Sequence, residues 1–241
     1  MKEQELAENN LILKVETGSH LYGTEVPESD RDYQGIFIPP KEYVYGLHRC
    51  DHVKVDSEDD YTCYTLPKYI HLAIQNNPNI ISLLYTPEKN IIFSNRYGKK
   101  LIESRDLFLS KKSYHTFRGY AHSQKRKILT KVAEGKRVAI IEKHGYDTKF
   151  AMHLMRLLYE GLDIMVSREI IYPCPHRKQL RAIRHGEWKL EKVLSEAERI
   201  EHLIDEAYVR SDLQHSANQK EIEELQMSLL EEYWEKDKEV S

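Results

Sequence analysis

Two aspartates one residue apart, Asp30 and Asp32, lie in GSHLYGTEVPESDRDYQGIF, just ahead of an apolar run. On an extended strand, residues i and i+2 point to the same side. Two carboxylates held that way raise each other's pKa and cost stability unless a cation sits between them. A hard divalent cation prefers oxygen ligands, and Mg²⁺ is commonly held by one or two carboxylates and completed by substrate phosphates. Asp-x-Asp at a strand start therefore suits a metal shared with a nucleotide. It also suits a plain polar turn in which Ser29 and Asp30 bond their own backbone. Two further features favour the metal. Gly18-Ser19 follows the preceding apolar run, where a tight turn can aim N–H groups and a hydroxyl at a phosphate. Asp60, with Asp59 beside it as the alternative, precedes another β-rich run. A Gly-Ser turn and three carboxylates at strand ends are the parts of a two-metal phosphoryl-transfer site.

The elements that would position these groups are visible as patterns. LILKVETG (11–18) alternates as a strand, and DYQGIFIPP (32–40) is a second, closed by Pro39 and Pro40, which cannot continue a ladder. YTCYTL (61–66) is a third, rich in β-formers. LPKYIHLAIQ (66–75) turns helical, NNPN (76–79) breaks it, and IISLLY (80–85) resumes an apolar run. Beyond about residue 100, segments 113–133, 147–166, 189–209 and 218–235 read as helices, with Asp147 as an N-cap. In the last of these, Ile222, Leu225, Leu229, Leu230 and Tyr233 make one apolar stripe. The expected fold class is α/β (α+β), a small mixed-sheet core over 1–100 followed by a helical domain over 101–241.

Composition sets the class. The chain has 241 residues, 40% hydrophobic and 31% charged, which suits a folded protein with a sizeable core. No apolar run reaches the roughly 18 residues of a membrane helix. The polar, acidic start MKEQELAENN resembles neither a secretory nor a transit signal, and the three cysteines form no disulfide framework. A cytoplasmic location is expected.

Charge is unevenly spread. Residues 111–143 carry ten Lys or Arg against two Glu, whereas 191–241 carry fifteen acids against six bases. The basic segment could attract a phosphate-rich partner, or the two segments could face each other. Within TKFAMHLMRLLYEG, Lys149, His153, Arg156 and Glu160 share a stripe beside the apolar one. This is either a solvated face or the lining of a triphosphate cleft, with Arg offering a fork of donors. Arg181, Arg184 and Glu187 are candidates of the same kind. SYHTFRGYAHSQKRK mixes aromatic and basic residues, as base-stacking surfaces and ordinary helices with an aromatic core face both do. LHRCDH puts His48, Cys50 and His52 at alternate positions, but no fourth ligand is spaced to complete a zinc site.

The sequence resembles the nucleotidyltransferases of the DNA polymerase beta superfamily, and within them the RlaP-like family associated with RNA repair. The likeness is carried by GSHLYGT with SDRDYQGIFIPP, then DYTCYTLPKYIHLAIQNNPNIISLL, FLSKKSYHTFRGYAHSQ, DTKFAMHLMRLLYEG and LRAIRHGEW. Ser82 departs from the pattern, standing where a glutamate is expected after the NPN turn. The resemblance implies that Asp30, Asp32 and Asp60 bind Mg²⁺ or Mn²⁺. It implies that Gly18 and Ser19 hold the β- and γ-phosphates of an NTP, with Lys149, His153 and Arg156 as further nucleotide-binding residues. A hydroxyl, most naturally on an RNA end, would attack the α-phosphate and release pyrophosphate. Transfer onto a protein or small molecule, and a silent nucleotide- or RNA-binding relative, are the alternatives.

Overall fold

The computed structural model describes residues 3–27, 29–55, 59–130 and 135–239. The chain divides into two compact units, residues 1–108 with 216–241, and residues 109–215.

Among the described residues, the first unit is built on five strands, β1 (Leu11–Thr17), β2 (Asp32–Phe37), β3 (His52–Val55), β4 (Asp60–Thr65) and β5 (Ile91–Ser94). Its helices before the second unit are α1 (Glu3–Asn9), α2 (Gly18–Tyr22), α3 (Lys41–Val44), α4 (Leu66–Ala73), α5 (Pro78–Ile81) and α6 (Arg96–Glu103). The strands form one sheet in the order β3-β4-β2-β1-β5. Only β2 and β4 pair in parallel; the other pairs are antiparallel. The mixed α+β class expected from the sequence is the class observed. Pro39 and Pro40 follow β2 directly, and Thr65 Oγ1 accepts from Lys68 N at 3.4 Å to start α4. One sheet face packs Phe37, Val53, Tyr61 and Cys63 against Leu6 and Ala7 of α1. By strand alternation, Asp32 and Ile36 look to the other face.

The second unit contains α7 (Lys112–Thr130), α8 (Lys136–His144), α9 (Thr148–Ser167), α10 (Arg177–Arg184) and α11 (Leu190–Arg210). Positions 131–133, expected at the end of a helix, lie outside the described residues. Helix α9 is the hub, touched by α7, α8, α10 and α11. A Cβ on Gly161 would lie 3.3 Å from Phe117 of α7, so the missing side chain sets how closely these helices approach. Asp147 caps α9, its Oδ1 accepting from the N–H groups of Lys149 (3.0 Å) and Phe150 (3.1 Å).

Helix α12 (Gln219–Glu239) returns to the first unit. Ile222, Leu225, Leu229, Leu230 and Trp234 are buried, and α12 touches α4 and α6. Tyr233 OH donates to Asn10 Oδ1 (3.1 Å), and Trp234 Nε1 donates to Pro39 O (3.0 Å). Helical pattern alone groups this segment with the helical half; its apolar stripe finds its cover on the sheet-bearing unit instead. No helix among the described residues is long and apolar enough to cross a membrane.

Candidate active site

The parallel pairing of β2 with β4 makes both strands begin at one end of the sheet, where antiparallel β1 ends. Thr17 pairs with Asp32, and Asp32 pairs with Asp60. Three chain points singled out by residue type, Gly18 just after β1, Asp32 opening β2 and Asp60 opening β4, therefore share one edge.

Gly18 and Asp32 are in close contact. Gly18 has φ +64°, and a Cβ built on it would overlap Asp32 Oδ2. A left-handed backbone and a close approach both call for glycine here. Gly18→Ala is expected to cost about 1–2 kcal/mol in backbone strain and to displace the Asp32 carboxylate. Thermal melting reads the first effect, and nucleotide transfer the second. A Gly18→Ala protein unchanged in both would mean that Asp32 does not seat against this turn. Ser19 follows, half-buried, its carbonyl accepting from Thr24 N at 2.9 Å to close the turn.

Asp30 differs from its expected position. The strand begins at Asp32, so the same-side argument from strand alternation does not extend to Asp30, which is exposed ahead of β2. The residue between them is fixed. Arg31 Nη1 donates to Glu16 Oε1 at 2.5 Å, and Glu16 Oε2 accepts from Asn90 Nδ2 at 3.0 Å. Glu16 pairs in register with Tyr33, on the face opposite Asp32. The hydrogen bond to Tyr33, then Glu16, holds the Arg31 guanidinium firmly charged. Arg31 is thus drawn away from the carboxylate face, a role sequence spacing did not reveal.

Register also separates Asp60 from Asp59. Asp60 faces the Asp32 side, whereas Asp59 lines a cavity of about 330 Å³ with Tyr33, Tyr61 and Lys14 on the α1 side. Among the described residues, no three His, Cys, Asp or Glu side chains already converge as a metal-binding group. The donor chemistry nevertheless fits a hard cation: the groups at this edge are carboxylate oxygens, and the Gly18 turn leaves space that Asp32 enters. His48, Cys50 and His52 are not a ligand set; a bend at Asp51 interrupts their alternation, and His52 alone opens β3. Ser82 is buried in a short 3₁₀ turn (Ser82–Tyr85), where its carbonyl accepts from Thr86 Oγ1 at 3.3 Å.

The other expected site residues belong to the second unit. Lys149 is exposed on the first turn of α9 and His153 lies one turn on, half-buried. Arg156 is only 4% exposed, and its Nη1 donates to Glu160 Oε2 (2.9 Å) and Oε1 (3.1 Å). The expected phosphate fork is therefore engaged in a buried pair. The physical reason is the hub position of α9, whose flanks are covered by neighbouring helices beyond the first turn. Burial pushes the Glu160 carboxyl up against the pull of Arg156, and Tyr172 OH also donates to Oε1 at 3.4 Å.

His153 is pushed down to about 3, by burial first and then by Arg156, Lys149, Arg184 and Arg137. The unfolded chain protonates this imidazole near its ordinary value of about 6.5. Stability present above that pH is thus lost as pH falls toward 3, by up to about 1.4 kcal/mol per pH unit. The urea midpoint of His153→Gln should fall less steeply than wild type between pH 6.5 and 4. Parallel pH profiles would rule out this burial.

Part of the basic segment faces part of the acidic one. Along α7 and α11, Arg118 meets Asp205 (2.5 Å), His122 meets Glu201 (3.6 Å) and Lys125 lies 4.0 Å from Glu198. Phe117 is core, and Tyr114 OH donates to Asp205 Oδ1 at 2.7 Å. Some of the charge expected to attract nucleic acid, at Arg118 and Lys125, is thus answered within the unit. Arg181 is exposed, while Arg184 Nη1 donates to Thr148 Oγ1 at 3.3 Å.

A family model described as RlaP, the RNA repair pathway DNA polymerase beta family, matches residues 1–241. A bacteriophage T4 protein, the uncharacterized 38.9 kDa protein in the nrdC-mobD intergenic region, is 28% identical over 128 residues. That match takes in 48% of this chain and 38% of the phage protein, so the similarity spans well under half of that relative. Among solved structures, spectinomycin adenyltransferase AAD(9) from Enterococcus faecialis, with ATP and spectinomycin, aligns at 14% identity and a TM-score of 0.36. That alignment covers 85% of this chain and 96% of the other. A nucleotidyltransferase-like protein from Exiguobacterium sibiricum aligns at 11% identity and a TM-score of 0.30, over 97% and 76%.

Proposed function

Because the chain belongs to the RNA repair pathway DNA polymerase beta family, a nucleotidyltransferase family, we propose that it transfers a nucleoside monophosphate from an NTP to a hydroxyl, and that the acceptor is an RNA end. The observation that carries the transfer is the shared sheet edge, with Asp32 in register between Thr17 and Asp60 and seated against Gly18. The acceptor rests on the family and not on surface charge, part of which is answered within the second unit.

Asp32 and Asp60, joined by Asp30, are the residues that would hold Mg²⁺ or Mn²⁺. Such a cation, when bound, neutralises phosphate charge and lowers the pKa of the attacking hydroxyl. Gly18 and Ser19 would hold the β- and γ-phosphates through the turn's N–H groups and the Ser19 hydroxyl. The acceptor oxygen bonds to the α-phosphorus as the bond to the bridging oxygen breaks, pyrophosphate departs with that electron pair, and the hydroxyl proton passes to solvent. Positioning and charge stabilisation supply most of the rate in such chemistry. Lys149 and His153 of the second unit are the remaining phosphate-binding candidates; Arg156 supports α9 instead.

The test is incubation with each α-labelled NTP, Mg²⁺ or Mn²⁺, and a mixture of RNA, DNA and cell lysate. Label on RNA ends is the expected result. Label confined to a protein or small molecule would replace the acceptor, and no labelled product with any NTP would remove the transferase reading.

A further inference from the structure

The cavity of about 330 Å³ on the α1 side of the sheet brings together opposite charges that do not meet. Its cation is Lys14 of β1. The ammonium lies 4.2 Å from the centre of the Tyr61 ring and 5.0 Å from that of Tyr33. Two aromatic faces thus hold it in place. Among the described residues, no ion pair joins Lys14 to a carboxylate, although Glu8 of α1 and Asp59 line the same cavity. Gln4 Nε2 donates to Glu8 Oε1 at 3.3 Å, which orients that carboxylate. Burial pushes the neighbouring Cys63 thiol up to about 12; the hydrogen bond with Tyr61 and the Lys14 ammonium pull against it, and Glu8 adds to it. Lys14 and Glu8 therefore act on one small volume.

Opposite charges that share a partly enclosed space gain by pairing directly. Here the ring contacts keep the ammonium on the sheet, while Glu8 stands on a helix. The arrangement suits a ligand that brings both signs of charge, a carboxylate for Lys14 and an ammonium for Glu8 and Asp59. A ligand of one sign alone would pair at one end and meet a like charge at the other. The rest of the wall includes apolar groups. Val55 of β3 lines it, as does Ile92 of β5, which is 54% exposed and would be covered by an aliphatic ligand group. The volume falls at the lower end of the roughly 300–1,000 Å³ of small-ligand sites, which favours a ligand of amino-acid size over a nucleotide.

We propose that this cavity binds a small zwitterion, an α-amino acid with an aliphatic side chain. Lys14 takes its carboxylate, Glu8 and Asp59 take its ammonium, and Val55 and Ile92 take its side chain. The site lies within the first unit, on the sheet face opposite Asp32 and Asp60, and stands independently of the transferase reading.

The test is titration of the full chain, without nucleotide, with L-leucine, followed by calorimetry and by the backbone NMR signals of β1 and β4. Leucine should bind with a Kd of about 1 mM or tighter and shift the signals of Lys14 and Tyr61. Isoamylamine, which lacks the carboxylate, and isocaproate, which lacks the ammonium, should each bind at least about tenfold more weakly. Lys14→Met should abolish the preference for leucine over isoamylamine, and Glu8→Gln should narrow the preference over isocaproate. Lys54→Gln, turned to the other side of β3 from Val55, should leave both preferences intact. Glu8 is exposed, so Glu8→Gln carries the test even if Lys14→Met loosens the sheet. No binding of leucine up to about 10 mM, or equal binding of isoamylamine or isocaproate, would overturn the site. So would preferences that neither Lys14→Met nor Glu8→Gln alters, or a loss in Lys54→Gln equal to that in Glu8→Gln.

Discussion

Asp32→Asn is expected to lower nucleotide transfer by roughly 10²–10³-fold or more without lowering the melting temperature. The substitution keeps size and removes a charge. Asp32 is the central group of the edge, the register partner of both Thr17 and Asp60 and the side chain against the Gly18 turn. Rate in phosphoryl transfer comes from fixed charges that meet the reacting phosphate, so an isosteric neutral group forfeits stabilisation made chiefly in the transition state. Asp60→Asn should behave alike. Asp59→Asn should not, because Asp59 lines the cavity on the opposite face. Transfer rate and melting temperature, measured on the same preparations, check all three. An Asp32→Asn enzyme with more than about a tenth of wild-type activity, or an Asp59→Asn enzyme as impaired as Asp60→Asn, would mean that chemistry does not occur at this edge.

Glu160→Ala is expected to cost about 3–5 kcal/mol, because it leaves Arg156 charged and buried. That is a large share of the roughly 5–15 kcal/mol that holds a typical domain together. Arg156 and Glu160 are 4% and 3% exposed. Replacing both together, as Arg156→Met with Glu160→Leu, should be far milder, since an apolar pair of similar volume avoids desolvating two ions. Urea unfolding followed by hydrogen exchange in α9 distinguishes these outcomes. A loss under about 1 kcal/mol in Glu160→Ala would show Arg156 free to turn toward a ligand, restoring the phosphate role expected from its stripe.

Particular residues show where sequence reading succeeded and where it stopped. Asp32 and Asp60 were legible because β1, β2 and β4 are six or seven residues long, with apolar or β-forming residues in each and prolines closing β2. That the two aspartates are neighbours was not, because parallel pairing joins segments far apart in sequence. Strands β3 and β5 have four residues each with exposed positions among them, too short for periodicity to register. Asp30 misled because alternation was extended beyond the strand. On α9 the stripe rule found Lys149, His153 and Arg156 together, but their fates depend on what packs there: Glu160 and neighbouring helices cover Arg156, while Lys149 stays exposed on the first turn. Glu16 and Arg137 gave no local signal, since each acts through a partner brought in by the fold.

The return of α12 makes the first unit discontinuous along the chain, with residues 109–215 inserted before its closing helix. Lys111 N donates to Gln214 O at 2.8 Å, so the insertion enters and leaves at nearly one point. A flexible connection of that length would burden α12 docking with the entropy of closing a long loop. An already folded insert removes most of that burden by holding the two attachment points together. Docking of α12 onto the carboxylate-bearing unit is in this way tied to the fold of the insert that lies between them in the chain.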